Sequence, residues 1–483
     1  MKVLFLNPPS FMGFDGGAGA RYQASREIRS FWYPAWLAYA AGLVRDSLLI
    51  DAPPADMGID EVIRAGKGFD MVVIHTSTPT LSNDVHVARR FKEAYPKILI
   101  GFVGPHAMVL PLETLQSSDA VDFVCTGEFD YTIAEIAEGR DFREVDGVAY
   151  LADGKLVRTP DRPLITDLDA LPFVTDIYAR DLKIENYYDG YLDHPYMAIY
   201  TARGCVARCS FCLWPHTIGG RAYRMRSPEN VYKEMAHARQ LFPQVKEYYF
   251  DDDTFTGNPK RAERIAEMIG PLGLKWSATA RANVPYETLK VLRENGLRLL
   301  VVGFESGNQQ ILNNIKKGIT VEGARKFVKA CKELGILMHA CFIMGLPGET
   351  AQTMEETMHF AKWIDPYSIQ VSLPAPYPGT ELYRQAVAEG WLATHIDGAG
   401  GGTAGKGELV SGGIQTAVLS YPHLPKEEIF EAVERFYRRF YFRPRPVLRI
   451  LKEMLSDREV FRRRAREGKE FLSFMAKRKQ MAH

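Results

Sequence analysis

The sequence predicts an α/β protein with two successive domains, each built on a parallel sheet, and a helical C-terminal region. Short apolar runs that stop at turn residues recur along two stretches of the chain, and segments with helical periodicity separate them. That alternation predicts parallel sheets whose faces are covered by helices. The 483 residues can bury several cores, and 46% hydrophobic and 25% charged residues are typical of a globular enzyme.

The first series of strands predicts a domain over residues 1–140. Its apolar runs cover residues 3–6, 48–50, 71–74, 98–103 and 121–124. Polar or glycine-containing tips follow these runs, and ligands of parallel sheets bind beyond the carboxyl ends of the strands. The tips are therefore candidate binding loops. Residues 141–190 have weak periodicity and are predicted to form an interdomain linker with one small hairpin.

The second series predicts an open (β/α)6 barrel over residues 191–390. Its six apolar runs cover residues 196–201, 247–250, 274–280, 299–304, 338–344 and 368–373. Chemistry in such barrels belongs to the C-terminal rim of the strands. The remainder, residues 391–483, is predicted to contain a glycine-rich loop at 397–413 and then basic helices.

Charge and targeting signals suggest where the protein works. No signal segment follows Met1, and no run of eighteen apolar residues occurs, so the sequence predicts a cytoplasmic protein. Residues 426–483 contain 17 Lys and Arg against 9 Asp and Glu. This basic tail is typical of a solvated helical face, of a surface attracted to anionic lipids, or of a nucleic-acid patch, and charge alone does not choose among them.

Three of the six cysteines are crowded into one short motif. Cys205, Cys209 and Cys212 follow a predicted strand, so their thiolates can converge at the barrel rim. Three thiolates on a 4Fe-4S cluster leave one iron free to chelate S-adenosylmethionine (SAM), whose sulfonium can then be cleaved by one electron. The alternative is a zinc site in which His216 is the fourth ligand of a non-catalytic binding protein.

Around these cysteines the sequence resembles the radical SAM superfamily, and the resemblance spans residues 196–382. It implies 4Fe-4S and SAM as cofactors, an electron donor such as flavodoxin or ferredoxin, and a partial TIM-type barrel. The implied SAM contacts are Phe211, Asp252, Arg281, Glu305, Ser306, Ile343, Met344 and Gly345. The acidic strand end 251–253 departs from the usual Gly-Gly-Glu pattern, which leaves open which carboxylate binds the methionyl amine.

Two of the candidate residues have an alternative interpretation. Arg281 would neutralise the carboxylate of SAM, or it would form an ordinary surface ion pair. Cys341 would donate a hydrogen atom to a substrate radical if its side chain faces the barrel interior, or it would be a core residue, which is the commoner role of a lone strand cysteine.

A Rossmann-like domain ahead of such a barrel resembles the cobalamin-binding branch of the superfamily. The positions that resemble its cobalamin loops are Thr76, Ser77, Gly104, Pro105, His106, Gly127 and Glu128. The chain has no Asp-x-His-x-x-Gly motif, so a histidine ligand to cobalt is not indicated. Base-off binding and loss of the cofactor both stay open.

The segment 8–34 resembles the hopanoid-biosynthesis-associated subgroup of this branch. That resemblance implies a lipid-linked sugar substrate and contraction of the glucosaminyl ring of a bacteriohopanetetrol glycoside to a cyclitol. Such a substrate would suit contact of the basic C-terminal helices with the inner face of a membrane, through aromatic residues at 436–442, and no nucleic acid is expected. The alternative reaction is cobalamin-dependent methylation of an unactivated carbon.

Overall fold

The computed structural model describes residues 1–10, 26–392, 409–411, 413–455 and 457–481. It confirms an α/β protein with an N-terminal sheet, a six-stranded parallel barrel sheet and a helical C-terminal region. Most of the predicted loop 397–413, and residues 11–25 of the segment 8–34, lie outside the described residues.

The N-terminal sheet is formed by the predicted apolar runs. Its strands are β1 (Val3–Asn7), β2 (Ser47–Asp51), β3 (Met71–His75), β4 (Leu99–Val103), β5 (Phe123–Cys125), β6 (Val148–Ala152) and β7 (Lys155–Arg158). They lie in the order β2-β1-β3-β4-β5-β6-β7, and the first five are parallel. The helices of this region are α1 (Ala35–Leu43), α2 (Ala52–Ala55), α3 (Ile59–Ala65), α4 (Leu81–Ala94), α5 (Pro105–Val109), α6 (Pro111–Gln116) and α7 (Asp130–Ala137).

The hairpin of the predicted linker forms, but it does not stand apart from the first domain. β6 pairs antiparallel with β5, and β7 pairs antiparallel with β6, so the hairpin is the edge of the N-terminal sheet. An antiparallel edge on an otherwise parallel sheet is common in α/β proteins. We therefore propose that the first domain ends after Arg158 and that the linker is shorter than residues 141–190.

The barrel sheet follows the second series of runs. Its strands are β8 (Tyr196–Ile199), β11 (Glu247–Phe250), β12 (Trp276–Ala280), β13 (Leu297–Glu305), β14 (Leu337–Ile343) and β15 (Ser368–Ser372), and a short ribbon of β9 (Ala202–Arg203) and β10 (Arg224–Met225) follows β8. The order β15-β14-β13-β12-β11-β8 is sequential and entirely parallel. All strand ends of one polarity therefore meet at one rim.

Helices cover the outside of the barrel. They are α8 (Val174–Asp181), α9 (Pro228–Leu241), α10 (Pro259–Ile269), α11 (Tyr286–Glu294), α12 (Gln309–Asn314), α13 (Val321–Glu333), α14 (Ala351–Ile364) and α15 (Glu381–Ala388). Local sequence explains where several begin: the side chains of Ser227, Asn258 and Thr320 each accept a hydrogen bond from a backbone N–H in the first turn. These caps fix the helix starts that follow the strands.

The C-terminal region contains a small ribbon and three helices. The elements are β16 (Val410–Ser411), β17 (Ile414–Gln415), α16 (Lys426–Tyr441), α17 (Pro444–Met454) and α18 (Arg458–Met481). The Tyr437 hydroxyl accepts a hydrogen bond from the Val371 backbone N–H at 2.9 Å, which fastens α16 to the barrel edge strand β15. Among the described helices, none combines the length and apolar character that a membrane crossing requires.

The aromatic residues of α16 correct one expectation. Phe436, Tyr437 and Phe440 are buried, so they cannot form the membrane contact that the sequence suggested. They pack toward the barrel instead, where Phe342 contacts Phe436 with ring centroids 5.4 Å apart. Only Phe442, just beyond the helix, is largely exposed among the aromatic residues of this stretch.

A buried carboxyl at the end of β2 makes the stability of the protein depend on pH. Asp51 accepts hydrogen bonds from the Asn7 side-chain amide at 2.6 Å and from the Tyr187 hydroxyl at 2.8 Å. Burial raises the pKa of Asp51 to about 7, although both hydrogen bonds act in the opposite direction. The folded protein therefore holds a proton that the unfolded chain has already released, and this group's contribution to stability decreases as the pH rises from about 4 to about 7.

Replacing Asp51 by asparagine, which stays neutral, is expected to remove this dependence. The free energy of unfolding of the parent should fall relative to that of Asp51→Asn by roughly 1.4 kcal/mol per pH unit between pH 5 and pH 7. Urea denaturation of both proteins at the two pH values measures the difference. If the free energies of unfolding of the two proteins differ by the same amount at pH 5 and at pH 7, the pKa of Asp51 is not raised by folding.

Candidate active site at the rim of the barrel

The loop that carries the three cysteines begins directly at the barrel rim. β8 ends at Ile199, and Cys205 and Cys209 lie buried while Cys212 is partly exposed. Gly204 has φ of +85°, and a Cβ there would lie 2.3 Å from the Ala222 carbonyl oxygen, so the chain needs glycine at this point. The backbone N–H of Cys205 donates to the Gly220 carbonyl oxygen at 3.4 Å, which closes the loop.

The geometry disfavours the zinc alternative. His216 already uses both ring nitrogens: Nδ1 is 2.6 Å from the Cys212 carbonyl oxygen, and Nε2 is 2.8 Å from the Arg221 guanidinium. A cubane needs a different arrangement, because each of its three thiolates binds a different iron.

Two cations lie near the cysteines, Arg281 after β12 and Lys317 after α12. Arg281 follows β12, and its Nη1 lies 3.9 Å from the Sγ of Cys209. Lys317 forms a buried ion pair with Glu305 at 2.7 Å. Burial lowers the pKa of Lys317, but Glu305 and the Cys209 sulfur outweigh burial and raise it above its ordinary value. The site therefore keeps positive charge beside the sulfur ligands, which suits an anionic cluster and a carboxylate-bearing cofactor.

These side chains surround a cavity of about 350 Å³ inside the rim. The predicted residues that line it are Cys205, Cys209, Cys212, Phe211, Arg281, Glu305, Cys341 and Ile343. Asp253, one of the three aspartates left open by the sequence, also lines it, and so do Thr279, Lys317, Gln370 and Gln415, which were not among the predicted site residues. Thr279 and Gln370 could have been identified from the sequence, since both lie on barrel strands. Gln415 lies on the distant ribbon strand β17, and no sequence pattern placed it near the cavity.

The structure places two of the three adjacent aspartates in different surroundings. Asp252 is buried and accepts hydrogen bonds from the Thr201 backbone N–H and hydroxyl, both at 2.5 Å, and from the Ala202 N–H at 3.1 Å. Its carboxylate therefore fixes the start of the cysteine loop and does not line the cavity. Asp253 does line the cavity, so Asp253 replaces Asp252 as the candidate for binding the SAM amine.

Three other predicted SAM contacts lie outside the cavity lining. Ser306 is buried, with its hydroxyl 3.0 Å from the Thr357 hydroxyl. The backbone N–H of Met344 donates to the Ser372 carbonyl oxygen, and that of Gly345 donates to the Glu349 carboxyl at 2.6 Å. These residues shape the ends of β13 and β14, next to the cavity lining residues Glu305 and Ile343.

The predicted cobalamin loops gather at the carboxyl edge of the N-terminal sheet. Thr76 and Ser77 follow β3, and Gly104, Pro105 and His106 follow β4, which pairs with β3. Gly104 has φ of +108°, and a Cβ there would lie 2.5 Å from the Thr76 carbonyl oxygen. Gly127 follows β5 on the same edge.

Unpaired polar atoms at this edge fit a bound cofactor. The Nε2 of His106 and both ring nitrogens of His75 are buried without a hydrogen-bond partner among the described residues. Burial lowers the pKa of His106 to about 4 and that of His75 to about 3, so both rings are neutral at physiological pH. Buried polar atoms normally have partners, and a ligand rich in polar groups would supply them.

Glu128, the last predicted cobalamin residue, has another role. Its carboxylate pairs with Arg203 at 3.2 Å and with Arg224 at 2.7 Å. Arg203 also makes two 2.9 Å hydrogen bonds to Asp130 and lies over the ring of Trp36. Since Arg203 directly precedes the cysteine loop, Glu128 and Asp130 connect the N-terminal domain to that loop through their carboxylates.

The two domains also meet through apolar contacts beside the cavity. Trp36 of α1 stacks on Trp214 of the cysteine loop, with ring centroids 6.4 Å apart. A Cβ on Gly379, beyond the last barrel strand, would lie 2.8 Å from the side chain of Val109 at the end of α5. The carboxyl edge of the N-terminal sheet therefore faces the barrel rim.

Two protein families match the chain in these regions. Residues 199–361 match the radical SAM superfamily, and residues 24–137 match the B12 binding domain. The first match contains the cysteine loop and the strands β11 to β14, and the second contains the strand tips with His75 and His106. Together they support 4Fe-4S, SAM and cobalamin as the cofactors of a radical enzyme.

Curated relatives and solved structures agree with this assignment. Similar relatives are an uncharacterized methyltransferase, PH0819, of Pyrococcus horikoshii, at 31% identity over 93% of this chain and 94% of that protein, and an anaerobic magnesium-protoporphyrin IX monomethyl ester cyclase of Rubrivivax gelatinosus, at 30% identity over 80% and 70%. The fold resembles that of the cobalamin-dependent SAM radical enzyme OxsB, with a TM-score of 0.68 over 100% of this chain and 71% of that chain at 16% identity. It also resembles the radical SAM methyltransferase TsrM of Kitasatospora setae, with a TM-score of 0.63 over 92% and 96% at 16% identity. The chain therefore belongs to the radical SAM superfamily, in the group whose barrel follows a B12 binding domain.

Proposed function

We propose that the enzyme contracts the glucosaminyl ring of a bacteriohopanetetrol glycoside to a cyclitol, starting with abstraction of one hydrogen atom from the sugar. The observation that carries the radical chemistry is the convergence of Cys205, Cys209 and Cys212 with Arg281 on one cavity that faces the B12 binding domain. The resemblance of the segment 8–34 to the hopanoid-associated subgroup supports the substrate.

The residues of the cavity have separate tasks in this proposal. When bound, the cluster supplies the electron that splits SAM into methionine and a 5'-deoxyadenosyl radical, and cobalamin supplies a second redox centre beside the substrate. Cys205, Cys209 and Cys212 would hold the cluster, the Asp253 carboxylate would accept a hydrogen bond from the amino group of SAM, and Arg281 would neutralise the carboxylate of SAM. Phe211 and Ile343 line the space for the adenine of SAM. The Glu305–Lys317 pair orients the polar groups of SAM.

Cys341 is the proposed hydrogen donor to the final substrate radical. Its side chain lines the cavity, and burial raises the pKa of Cys341 to about 12, so the sulfur keeps its hydrogen at neutral pH. The S–H bond breaks homolytically, and a C–H bond forms on the product. One electron and one proton restore the thiol, with the electron coming from a donor of the flavodoxin or ferredoxin type.

Replacing Cys341 by alanine is expected to leave SAM cleavage near the parent level while product formation falls by at least about tenfold, because a radical without its hydrogen donor reverts or decays. Anaerobic single-turnover assays that quantify both 5'-deoxyadenosine and product measure the ratio. The buried Cys331 lies outside the cavity, so Cys331→Ala is the matched control with an unchanged ratio. If Cys341→Ala and the parent form equal amounts of product, a group other than Cys341 donates the hydrogen atom.

Methylation of an unactivated carbon is the second candidate. The similarity to the Pyrococcus relative and to TsrM, both named as methyltransferases, favours it, whereas the Rubrivivax relative is named as a cyclase. The two candidates differ in product mass. Methylation adds one methyl group and releases S-adenosylhomocysteine as well as 5'-deoxyadenosine, whereas ring contraction leaves the carbon count unchanged.

The deciding experiment is anaerobic reconstitution with iron, sulfide and cobalamin, followed by incubation with reductant, SAM and glucosaminyl bacteriohopanetetrol in detergent. We expect 5'-deoxyadenosine and a ring-contracted product with no added carbon. A methylated lipid would replace the proposal by the second candidate. No conversion of this lipid, together with turnover of a different substrate, would reject the hopanoid assignment and leave the radical assignment intact.

A lipid-linked sugar implies that the enzyme works at a membrane surface. We propose a cytoplasmic enzyme that contacts the inner face of the membrane peripherally through its basic C-terminal helices. The buried aromatic residues of α16 cannot make that contact, so other residues must do so.

A further inference from the structure

α17 turns an apolar face to the solvent. Leu448, Leu451 and Leu455 are 64%, 49% and 87% exposed, and their spacing of three and four residues puts them on one side of the helix axis. Within the helix only Pro446 is buried. Isolated exposed leucines are ordinary, but a continuous stripe of them on one helix indicates a contact surface.

The exposed surface continues beyond α17. Phe442 before the helix is 65% exposed, and Leu472 of α18 is 59% exposed. Both line, with Val447 and Leu451, a cavity of about 300 Å³ at the amino-terminal end of the barrel, opposite the cysteine loop. The leucine stripe and the mouth of this cavity therefore belong to one apolar surface, which we call the α17 face.

Basic side chains flank the α17 face. Residues 443–469 contain ten Lys and Arg against four Asp and Glu. Some of these cations are paired, such as Arg443 with Asp365 and Arg464 with Glu453. Arg445 and Lys452 are exposed, have no ion pair within the described residues, and lie seven residues apart on one side of the leucine stripe.

The combination of an exposed leucine stripe and flanking cations distinguishes among three possible partners of the α17 face. Two copies of the α17 face would bring like charges together, which disfavours self-association. A nucleic acid would be attracted by the cations but would have no use for a leucine stripe. A bilayer with anionic headgroups satisfies both features, since leucines enter the acyl boundary while flanking Arg and Lys contact the headgroups.

We propose that the α17 face is the docking surface of this enzyme on an anionic membrane, with Leu448, Leu451 and Leu455 inserted and Arg445 and Lys452 at the headgroups. This inference rests on the peripheral contact in the proposed function and identifies the residues that make it. It is independent of which lipid is the substrate.

The test is sedimentation of the full-length protein with vesicles of phosphatidylcholine alone or mixed with phosphatidylglycerol. We expect binding to the mixed vesicles, weakened by salt, and little binding to phosphatidylcholine alone.

The triple variant Leu448→Ser, Leu451→Ser, Leu455→Ser should lose at least about tenfold in partitioning into the mixed vesicles. The variant Arg445→Gln, Lys452→Gln should lose binding mainly at low salt. The double variant Val387→Ser, Leu241→Ser removes exposed apolar residues elsewhere and should bind like the parent.

Three outcomes would overturn the docking surface: no binding of the parent to anionic vesicles, parent-like binding of the triple variant, or a parent dimer that the triple variant converts to a monomer. Formation of 5'-deoxyadenosine with SAM and reductant in detergent should be unchanged in all variants, because the α17 face is at the opposite end of the barrel. Vesicle binding without conversion of the hopanoid would reject the proposed substrate and support the docking surface.

Discussion

Replacing Cys209 by alanine is expected to abolish reductive cleavage of SAM, lowering the rate of 5'-deoxyadenosine formation by at least about 1,000-fold, or about 4 kcal/mol of barrier. Cys209 lies between the other two cysteines in the loop, lines the cavity, and has Arg281 within 3.9 Å of its sulfur. With two thiolates left, the cluster lacks the third protein ligand that leaves a single iron open to SAM. Anaerobic assays with excess reductant measure the loss, and iron and sulfide content show its cause.

Cys331→Ala is the matched control for this variant. Cys331 is buried in α13 and is absent from the lining of the cavity, so its replacement should leave iron content and SAM cleavage near the parent values. Parent-like activity and iron content in Cys209→Ala would reject the ligand set of Cys205, Cys209 and Cys212. A cluster retained with cleavage lost would restrict the role of Cys209 to positioning.

The second large effect is expected at the connection between the domains. In Arg203→Met the carboxylates of Glu128 and Asp130 lose the guanidinium that pairs with both, although Arg224 still contacts Glu128. Removing one partner from a buried ion pair leaves an uncompensated charge, which costs about 3–5 kcal/mol. We expect the free energy of unfolding, measured by urea denaturation, to fall by that amount.

In this variant the position of the cysteine loop should change as well as the stability of the protein, because Arg203 directly precedes Gly204 and Cys205. Cobalamin affinity, followed by the visible absorption of the corrin, and the electron paramagnetic resonance spectrum of the reduced cluster test this effect. Arg140→Met is the control, since its ion pair with Glu135 is half-exposed and such pairs contribute at most about 1 kcal/mol. A loss in Arg203→Met no larger than in the control would show that the buried pairs contribute little.

The strands were predictable because parallel strands buried on both faces are continuous apolar runs. β11 has the predicted bounds 247–250, β14 begins and ends one residue before the predicted run 338–344, and β15 ends one residue before the predicted run 368–373. The hairpin β6–β7 was predicted as a local structure, but its pairing with β5 was not. Such pairing depends on which edge of a distant sheet is free, and this information is not present in the hairpin itself.

The candidate site was predictable where function depends on residue type and spacing. It was less predictable where function depends on the direction in which a side chain points. Cys205, Cys209 and Cys212 were predicted from their spacing, and Arg281 and Glu305 from the resemblance to the radical SAM superfamily; all five line the cavity. Asp252 and Asp253 are adjacent and chemically identical, so only the fold decides that one binds Thr201 and the other lines the cavity. Glu128 is at a predicted strand tip, yet its carboxylate is taken by Arg203 from the other domain.

By itself the sequence predicted the order of strands and helices and the three-cysteine motif, because periodicity and cysteine spacing are local properties of the chain, and the resemblance to known families indicated the cofactors. Only the tertiary structure decided which carboxylate faces the cavity, which aromatic residues of α16 are buried, and that α17 presents its leucines to solvent. The physical reason is that hydrogen-bond partners and burial are set by atoms far apart in the chain, such as those of Arg203 and Asp130, which meet only after folding.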